Sequence, residues 1–336
     1  VGLRAAIALC LLLACPLAAQ ADPRAPKPDI AELWKTGCLW EVGDNRETVP
    51  AARKALIEAG EPALAHALTR LGARDTLETR CLSAVFAGWK ADAVMAPKAL
   101  AGLLAHVGHE DQFTRRNVAD LLDQFDDRAA MDPLLAQARK ETAEGVRMAQ
   151  LAPLARWKDP NALDLLVTAS RTGLERLRSR ASTLLLHYDE QPAALDRLVE
   201  LLADEVYYVA DAAASGLKTA SVAARRRCLT ELGRELARPR ADQRAAFVRQ
   251  LLVVIPTLAD ADTPMRIAAA LAHADAGVRA DAAEALATWK LGAGLLDKTH
   301  DARGALDAAL KTESDPFARA AINRALQRLT DDGKKE

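Results

Sequence analysis

The chain has 336 residues, half of them apolar and only 4% aromatic, with a formal net charge of −1. That balance supplies no global attraction for nucleic acid. A composition dominated by Ala and Leu suits close-packed helices and disfavours sheet, which would want more Val, Ile, Thr and Tyr.

The first 21 residues differ in kind from the rest. Arg4 precedes an apolar run from Ala5 to Ala14, and Ala19-Gln20-Ala21 stands before Asp22. A short basic start, an apolar core and a small-x-small site read as a cleavable secretory signal over 1–21. The run is too short to span a bilayer core of about 30 Å. Leu12-Leu13-Ala14-Cys15 also resembles a lipobox, which offers a lipid anchor at Cys15 as the alternative; Pro16 and the downstream cleavage site weigh against it. Without residues 1–21, 44 basic residues face 46 acidic ones.

Residues 22–47 are expected to form an extended leader and N-terminal cap. Pro23, Pro26 and Pro28 punctuate its start, Ile30–Lys35 reads as a short helix, and Gly37–Asn45 as a loop. Helical patterning continues through Val49–Ala59 and Pro62–Leu71. The segment 48–330 is assigned to a helical solenoid and 331–336 to a polar tail.

Within that segment one helical pattern recurs. In its clearest copy Arg279 follows Val278, precedes Ala282, Ala283 and Leu286 on one apolar face, and is followed ten residues on by Trp289. The same offsets fit Thr79, Arg115, Arg147, Arg178, Ala210, Arg244 and Arg319, in steps of 36, 32, 31, 32, 34, 35 and 40 residues. A period between about 20 and 50 residues marks stacked structural repeats. Each keyed helix (B) is preceded by a second apolar helix (A), predicted at Pro97–Val107, Pro133–Arg139, Pro160–Ser170, Pro192–Leu202, Val222–Ala237, Pro264–His273 and Ala305–Lys311. Asp132-Pro133, Asp159-Pro160, Gln191-Pro192 and Thr263-Pro264 read as helix starts, a capping side chain followed by proline at the first helical position. One hairpin cannot bury both its apolar faces, so each must stack on the next. Leu291–His300 is the one long connection.

Several polar groups stand out against this pattern. The Arg series reads either as a basic stripe or as a repeat ladder, each Arg tied to an Asp or a carbonyl; periodicity favours the ladder, because a residue demanded by every unit serves stacking. Trp89, Phe125, Trp157, Tyr188 and Trp289 share an offset and read as core fillers rather than a ligand-stacking row. Arg225, Arg226, Arg227, Arg234, Arg238 and Arg240, with Arg244 and Arg249, outweigh Glu231, Glu235 and Asp242, and form a candidate docking patch for an acidic partner. The bland alternative is a solvated face. Cys38 and Cys81 are the candidate disulfide pair in an oxidising compartment, leaving Cys228 free; the alternative is three separate buried thiols. His106-x-x-His109-Glu110 is the one histidine cluster, a weak candidate for ligation. Neither a Gly-rich phosphate loop, a Gly-x-Ser-x-Gly elbow nor zinc spacing occurs.

The run Asp275 to Leu286, Asp-x-x-Val-Arg-x-x-Ala-Ala-x-Ala-Leu, resembles the HEAT repeat. More narrowly it is similar to the short bacterial HEAT-like repeats that also occur in phycobilin lyases. The resemblance covers 48–330 and implies an all-α fold: a right-handed α-solenoid of about eight HEAT-like hairpins that binds macromolecules along its concave face. It also implies a ladder between neighbouring units in which Asp111, Asp275 and Asp315 meet Arg115, Arg279 and Arg319; Thr79 and Ala210 interrupt it. HEAT-like deoxyhypusine hydroxylases hold iron through repeated His-Glu pairs, and this chain has the single pair His109-Glu110, so that activity is not carried over. The function expected is a non-catalytic, exported scaffold that binds another protein at the bacterial envelope without cofactor or metal. The alternative is a lyase or enzyme accessory with a ligand in the concave groove. A DNA-repair-like role would need a basic groove and cytoplasmic residence, against both the charge balance and the leader.

Overall fold

A computed structural model describes residues 29–332 apart from 259, 261 and 293–301. The signal at 1–21, the anchor at Cys15 and most of the Leu291–His300 connection lie outside the described residues. Among those described, every regular element is helical.

The helices pair into hairpins. The A helices are α1 (Ile30–Gly37), α3 (Glu61–Thr69), α5 (Met95–Ala105), α7 (Met131–Lys140), α9 (Pro160–Thr172), α11 (Pro192–Leu201), α13 (Val222–Leu236), α15 (Thr263–Ala269) and α17 (Ala302–Thr312). Each leads into a B helix: α2 (Asn45–Ala59), α4 (Thr76–Lys90), α6 (Gln112–Phe125), α8 (Glu144–Arg156), α10 (Glu175–Leu185), α12 (Tyr207–Leu217), α14 (Ala245–Val254), α16 (Ala276–Gly292) and α18 (Pro316–Asp332). The described residues thus build a right-handed α-solenoid of nine HEAT-like units, one more than the eight keyed copies. The additional unit is α1 with α2, so the described stack also takes in helix Ile30–Gly37, ahead of residue 48. Its B helix buries Val49, Ala52 and Leu56 at helical spacing but lacks the keyed pattern, which hid it.

Caps set where the helices start. Asp29, Asp75, Asp111, Asp159 and Asp315 accept backbone N–H bonds from the first turns of α1, α4, α6, α9 and α18, and Asp275 accepts from Val278 N at 2.9 Å in α16. Asp159-Pro160 behaves as its sequence predicts. Asp132-Pro133 does not: α7 begins at Met131, where the 3-10 turn Arg128–Ala130 feeds directly into it.

A continuous apolar layer runs between the two rows from Trp34 to Leu329. Successive B helices meet along more of their length than successive A helices do, which curves the stack with the B row on the inner, concave side. Small residues permit that closeness. At Gly216 in α12 an added Cβ would fall 2.0 Å from the Leu186 side chain of the preceding unit.

Candidate functional site

The keyed arginines are consumed by the stack. Arg115 on α6 donates through Nε and Nη2 to both carboxylate oxygens of Glu141, at 2.7 and 2.8 Å, at the end of the next unit's A helix. Arg178 meets Asp204 at 2.7 and 3.0 Å, and Arg279 meets Glu313 at 2.6 and 2.9 Å, in the same bidentate way. The free Nη1 of Arg115 and of Arg279 turns back to the carbonyls of its own hairpin turn, His109 and Glu110 or His273 and Ala274. One guanidinium therefore closes its own turn and bolts on the following hairpin.

The ladder is real but its acid is not the one the family pattern implied. Asp111, Asp275 and Asp315 spend their carboxylates capping their own helices; the rungs are Glu141, Asp204 and Glu313. Each of these lies six residues before the next key position. Where that place holds His273, Arg244 folds back onto Glu235 of its own hairpin at 2.8 Å. Burial pushes the Glu141 carboxyl up, but Arg115 and the Ala143 N–H more than offset it and hold the pKa at about 2.

The aromatic series is core, as its common offset predicted. Trp89 Nε1 donates to Ile57 O at 3.2 Å, Trp157 Nε1 to Asp126 Oδ1 at 2.8 Å, Tyr188 OH to Asp159 O at 2.7 Å and Trp289 Nε1 to Leu258 O at 2.9 Å. The three tryptophans reach back to the preceding unit, and Tyr188 bridges the head of its own A helix to Leu154 O of that unit at 3.3 Å, so the rings fill the stack while their polar edges fasten it.

The arginines of α13 lie on the outer row and are paired across repeats. Arg225 donates to Thr257 O at 2.7 Å, Arg226 meets Asp260 at 2.8 Å, and Arg227 meets Asp196 at 3.0 Å. Arg234 pairs with Glu231, Arg238 with Glu235, and Arg249 with Asp281. Arg240 stands exposed in the turn Arg240–Asp242. The excess positive charge counted along the sequence is thus opposed in space by Asp196, Asp260 and Asp281 of neighbouring units. His106 and His109 stack, but His106 Nδ1 contacts Gly102 O and His109 Nδ1 accepts from Asp111 N. The described residues hold no cluster of three or more side chains fit to bind a metal. Cys38 and Cys81 are brought side by side as free thiols, whereas Cys228 stands apart and buried.

What remains is the inner face, where residues do not repeat. Asp120 and Asp123 on α6 are pushed above the usual carboxylate range by surrounding protein, with Arg180, Arg116 and Arg156 opposing. A groove of about 230 Å³ opens beside them between α4 and α6, lined by Thr79, Arg80, Ser83, Asn117 and Asp120. Farther along, Tyr207 is 73% exposed and Val253 also faces solvent. They border a second recess of about 120 Å³ with Asp211, Arg249, Gln250 and Asp281. Sequence reasoning missed both recesses because Asn117 and Asp120 in one, and Ala246 and Arg249 in the other, hold the same places after Arg115 and Arg244 but differ in kind, and the recesses exist only where adjacent B helices meet.

No family model matches the sequence, and no curated protein matches it. Solved structures do resemble it. Kap95p in a structure with RanGDP superposes with a TM-score of 0.59 at 13% identity, over 90% of this chain and 43% of that one. Kap121p bound to RanGTP gives 0.47 at 14% identity, over 90% and 37%. Human deoxyhypusine hydroxylase gives 0.30 at 19% identity, over 84% and 99%. The chain spans less than half the length of either Kap protein. What it shares with Kap95p is the α-solenoid fold.

Proposed function

We propose that this protein is a non-catalytic scaffold, exported to the bacterial envelope, that holds a protein partner along the inner face of its solenoid. One observation carries the reading. The polar and aromatic groups that recur from unit to unit are spent on stacking, while the inner face carries a non-repeating set: Asp120, Asp123, Arg180, Tyr207 and Val253. Repetition reports architecture, so departure from it on one face reports recognition. An exposed aromatic beside an aliphatic side chain, with charges of both signs at a distance, suits a protein surface better than a polyanion. Kap95p, whose fold is alike, binds Ran, and a protein ligand is in keeping with that likeness. Export rests on the leader at 1–21. No helix among the described residues is long and apolar enough to cross a membrane.

The test is site-specific photo-crosslinking of the full chain in its own envelope. A photoreactive residue at position 207 or 253 is expected to capture one defined protein, and one at Val222 on the outer row is not. Asp120→Lys combined with Tyr207→Ala should weaken that complex at least tenfold without altering the melting temperature. Capture from Val222 alone, or a metal or chromophore retained through purification, would overturn the proposal; the latter would favour the enzyme-accessory reading.

A further inference from the structure

We propose that Cys38 and Cys81 are a thiol–disulfide pair that reversibly staples the first described hairpin to the next. Cys38 follows the last residue of α1, and Cys81 lies on α4 of the second unit. Gly37 is the hinge of the contact: a Cβ placed on it would sit 3.1 Å from Cys81 Sγ, so the end of α1 presses directly on that sulfur. Cys38, the next residue, comes close enough to Cys81 for the two thiols to shift each other's proton affinity, raising that of Cys38 and lowering that of Cys81.

The surroundings separate the roles of the two sulfurs. Cys38 is half-buried and within reach of a small molecule, whereas Cys81 is fully buried. Arg53 of α2 donates to Gly37 O at 2.9 Å and pairs with Glu41, yet its buried Nη2 has no oxygen or nitrogen partner among the described residues. That guanidinium stands by Cys81. The neighbouring Cys38 and the charge of Arg53 hold the Cys81 pKa below the ordinary thiol range, against burial and the Glu78 carboxylate. Cys228 shows the contrast: burial, with the Glu231 carboxylate adding to it, pushes its thiol up to about 12, which leaves it inert.

The chemistry is exchange with a small disulfide such as oxidised glutathione. Cys38, the sulfur a donor can reach, gives its proton to solvent against its raised pKa and attacks one sulfur of the donor as the thiolate, forming a mixed disulfide and releasing the first small thiol. The Cys81 thiolate then attacks Cys38 Sγ, breaking the mixed bond and releasing the second. Two protein thiols are oxidised to one disulfide, the donor is reduced to two thiols, and the two protons leave with them. Among the described residues this hairpin has a neighbour on one side only, and a hairpin so placed opens more readily than one packed on both sides. A bond from α1's end to α4 would anchor both helices of the first unit.

The experiment treats the folded full-length chain with reduced and oxidised glutathione in varied ratio, then quenches, alkylates and maps peptides by mass. A Cys38–Cys81 linked peptide is expected, with Cys228 still free. On linkage, amide exchange over Ile30–Gly37 and Asn45–Ala59 should slow about tenfold. Arg53→Gln should slow ring closure about fivefold and let a glutathione adduct accumulate on Cys38. Cys38→Ala, a change at a half-buried position, should make exchange in the first unit insensitive to redox state. A lasting glutathione adduct on wild-type Cys38, free Cys38 and Cys81 in the most oxidising buffer, or linkage without slower exchange would each overturn the proposal.

Discussion

Removing Arg115 from the rung between the third and fourth hairpins tests what holds this stack together. Glu141 is 2% exposed and takes two charge-assisted bonds from Arg115, at 2.7 and 2.8 Å. In Arg115→Met it keeps the Ala143 N–H at 3.0 Å, a 3.4 Å contact from Gln150 and the neutral Gln137 amide, none of them a cation. A carboxyl lowered from 4.5 to about 2 corresponds, at ~1.4 kcal/mol per tenfold change in proton affinity, to about 3 kcal/mol. Breaking a buried pair by losing one partner costs about the same, ~3 kcal/mol or more. Because the folded pKa is depressed, this stability is present above pH 4.5 and is lost as the pH falls towards 2. Urea unfolding followed by circular dichroism at pH 7 and pH 3 should show a large loss for Arg115→Met at pH 7 and a smaller one at pH 3. Arg115→Met with Glu141→Met should be less destabilised than Arg115→Met alone, since no unpaired carboxylate stays buried. A coupling energy below about 0.5 kcal/mol in the double-mutant cycle would refute the assignment of this rung as a stacking bolt.

Further outcomes follow from single contacts. Trp289→Phe keeps most of the ring but loses the 2.9 Å bond to Leu258 O, and should cost about 1–2 kcal/mol in thermal unfolding. Gly216→Ala drives a methyl into Leu186, at 2.0 Å before relaxation, and should destabilise by about 1–3 kcal/mol. Gly145→Ala meets nothing within 4 Å in the first turn of α8, and should leave stability unchanged or raise it by up to about 1 kcal/mol. Burial lowers the pKa of His66, His187 and His273, with nearby cations adding to the effect. The unfolded chain therefore takes up these protons first, and the melting temperature should fall as the pH drops below 6.5; His273→Asn should reduce that slope.

Much of the fold was legible in the chain because each unit must satisfy the same local demands. An apolar face at helical spacing and a turn-closing Arg recur wherever a hairpin needs them, and their periodicity exposed them. The first hairpin escaped because α1 has only eight residues and α2 has no keyed Arg or terminal aromatic. The acid of each rung escaped for another reason. It lies 26 residues from Arg115 but 34 from Arg279, a separation set by the helix and turn lengths of the following unit.

The sequence by itself determined that these are helices, that they come in pairs, and that Trp89, Trp157, Tyr188 and Trp289 belong inside. Periodic burial is a property of one chain segment and needs no knowledge of what lies opposite. Only the tertiary structure decided that Asp196, Asp260 and Asp281 oppose the α13 arginines and their neighbour Arg249, that Cys38 meets Cys81, and that Tyr207 and Val253 border one recess. These are meetings between neighbouring hairpins. They depend on how far one hairpin is rotated and shifted on the next, which the close contact of whole helices fixes and no local pattern records.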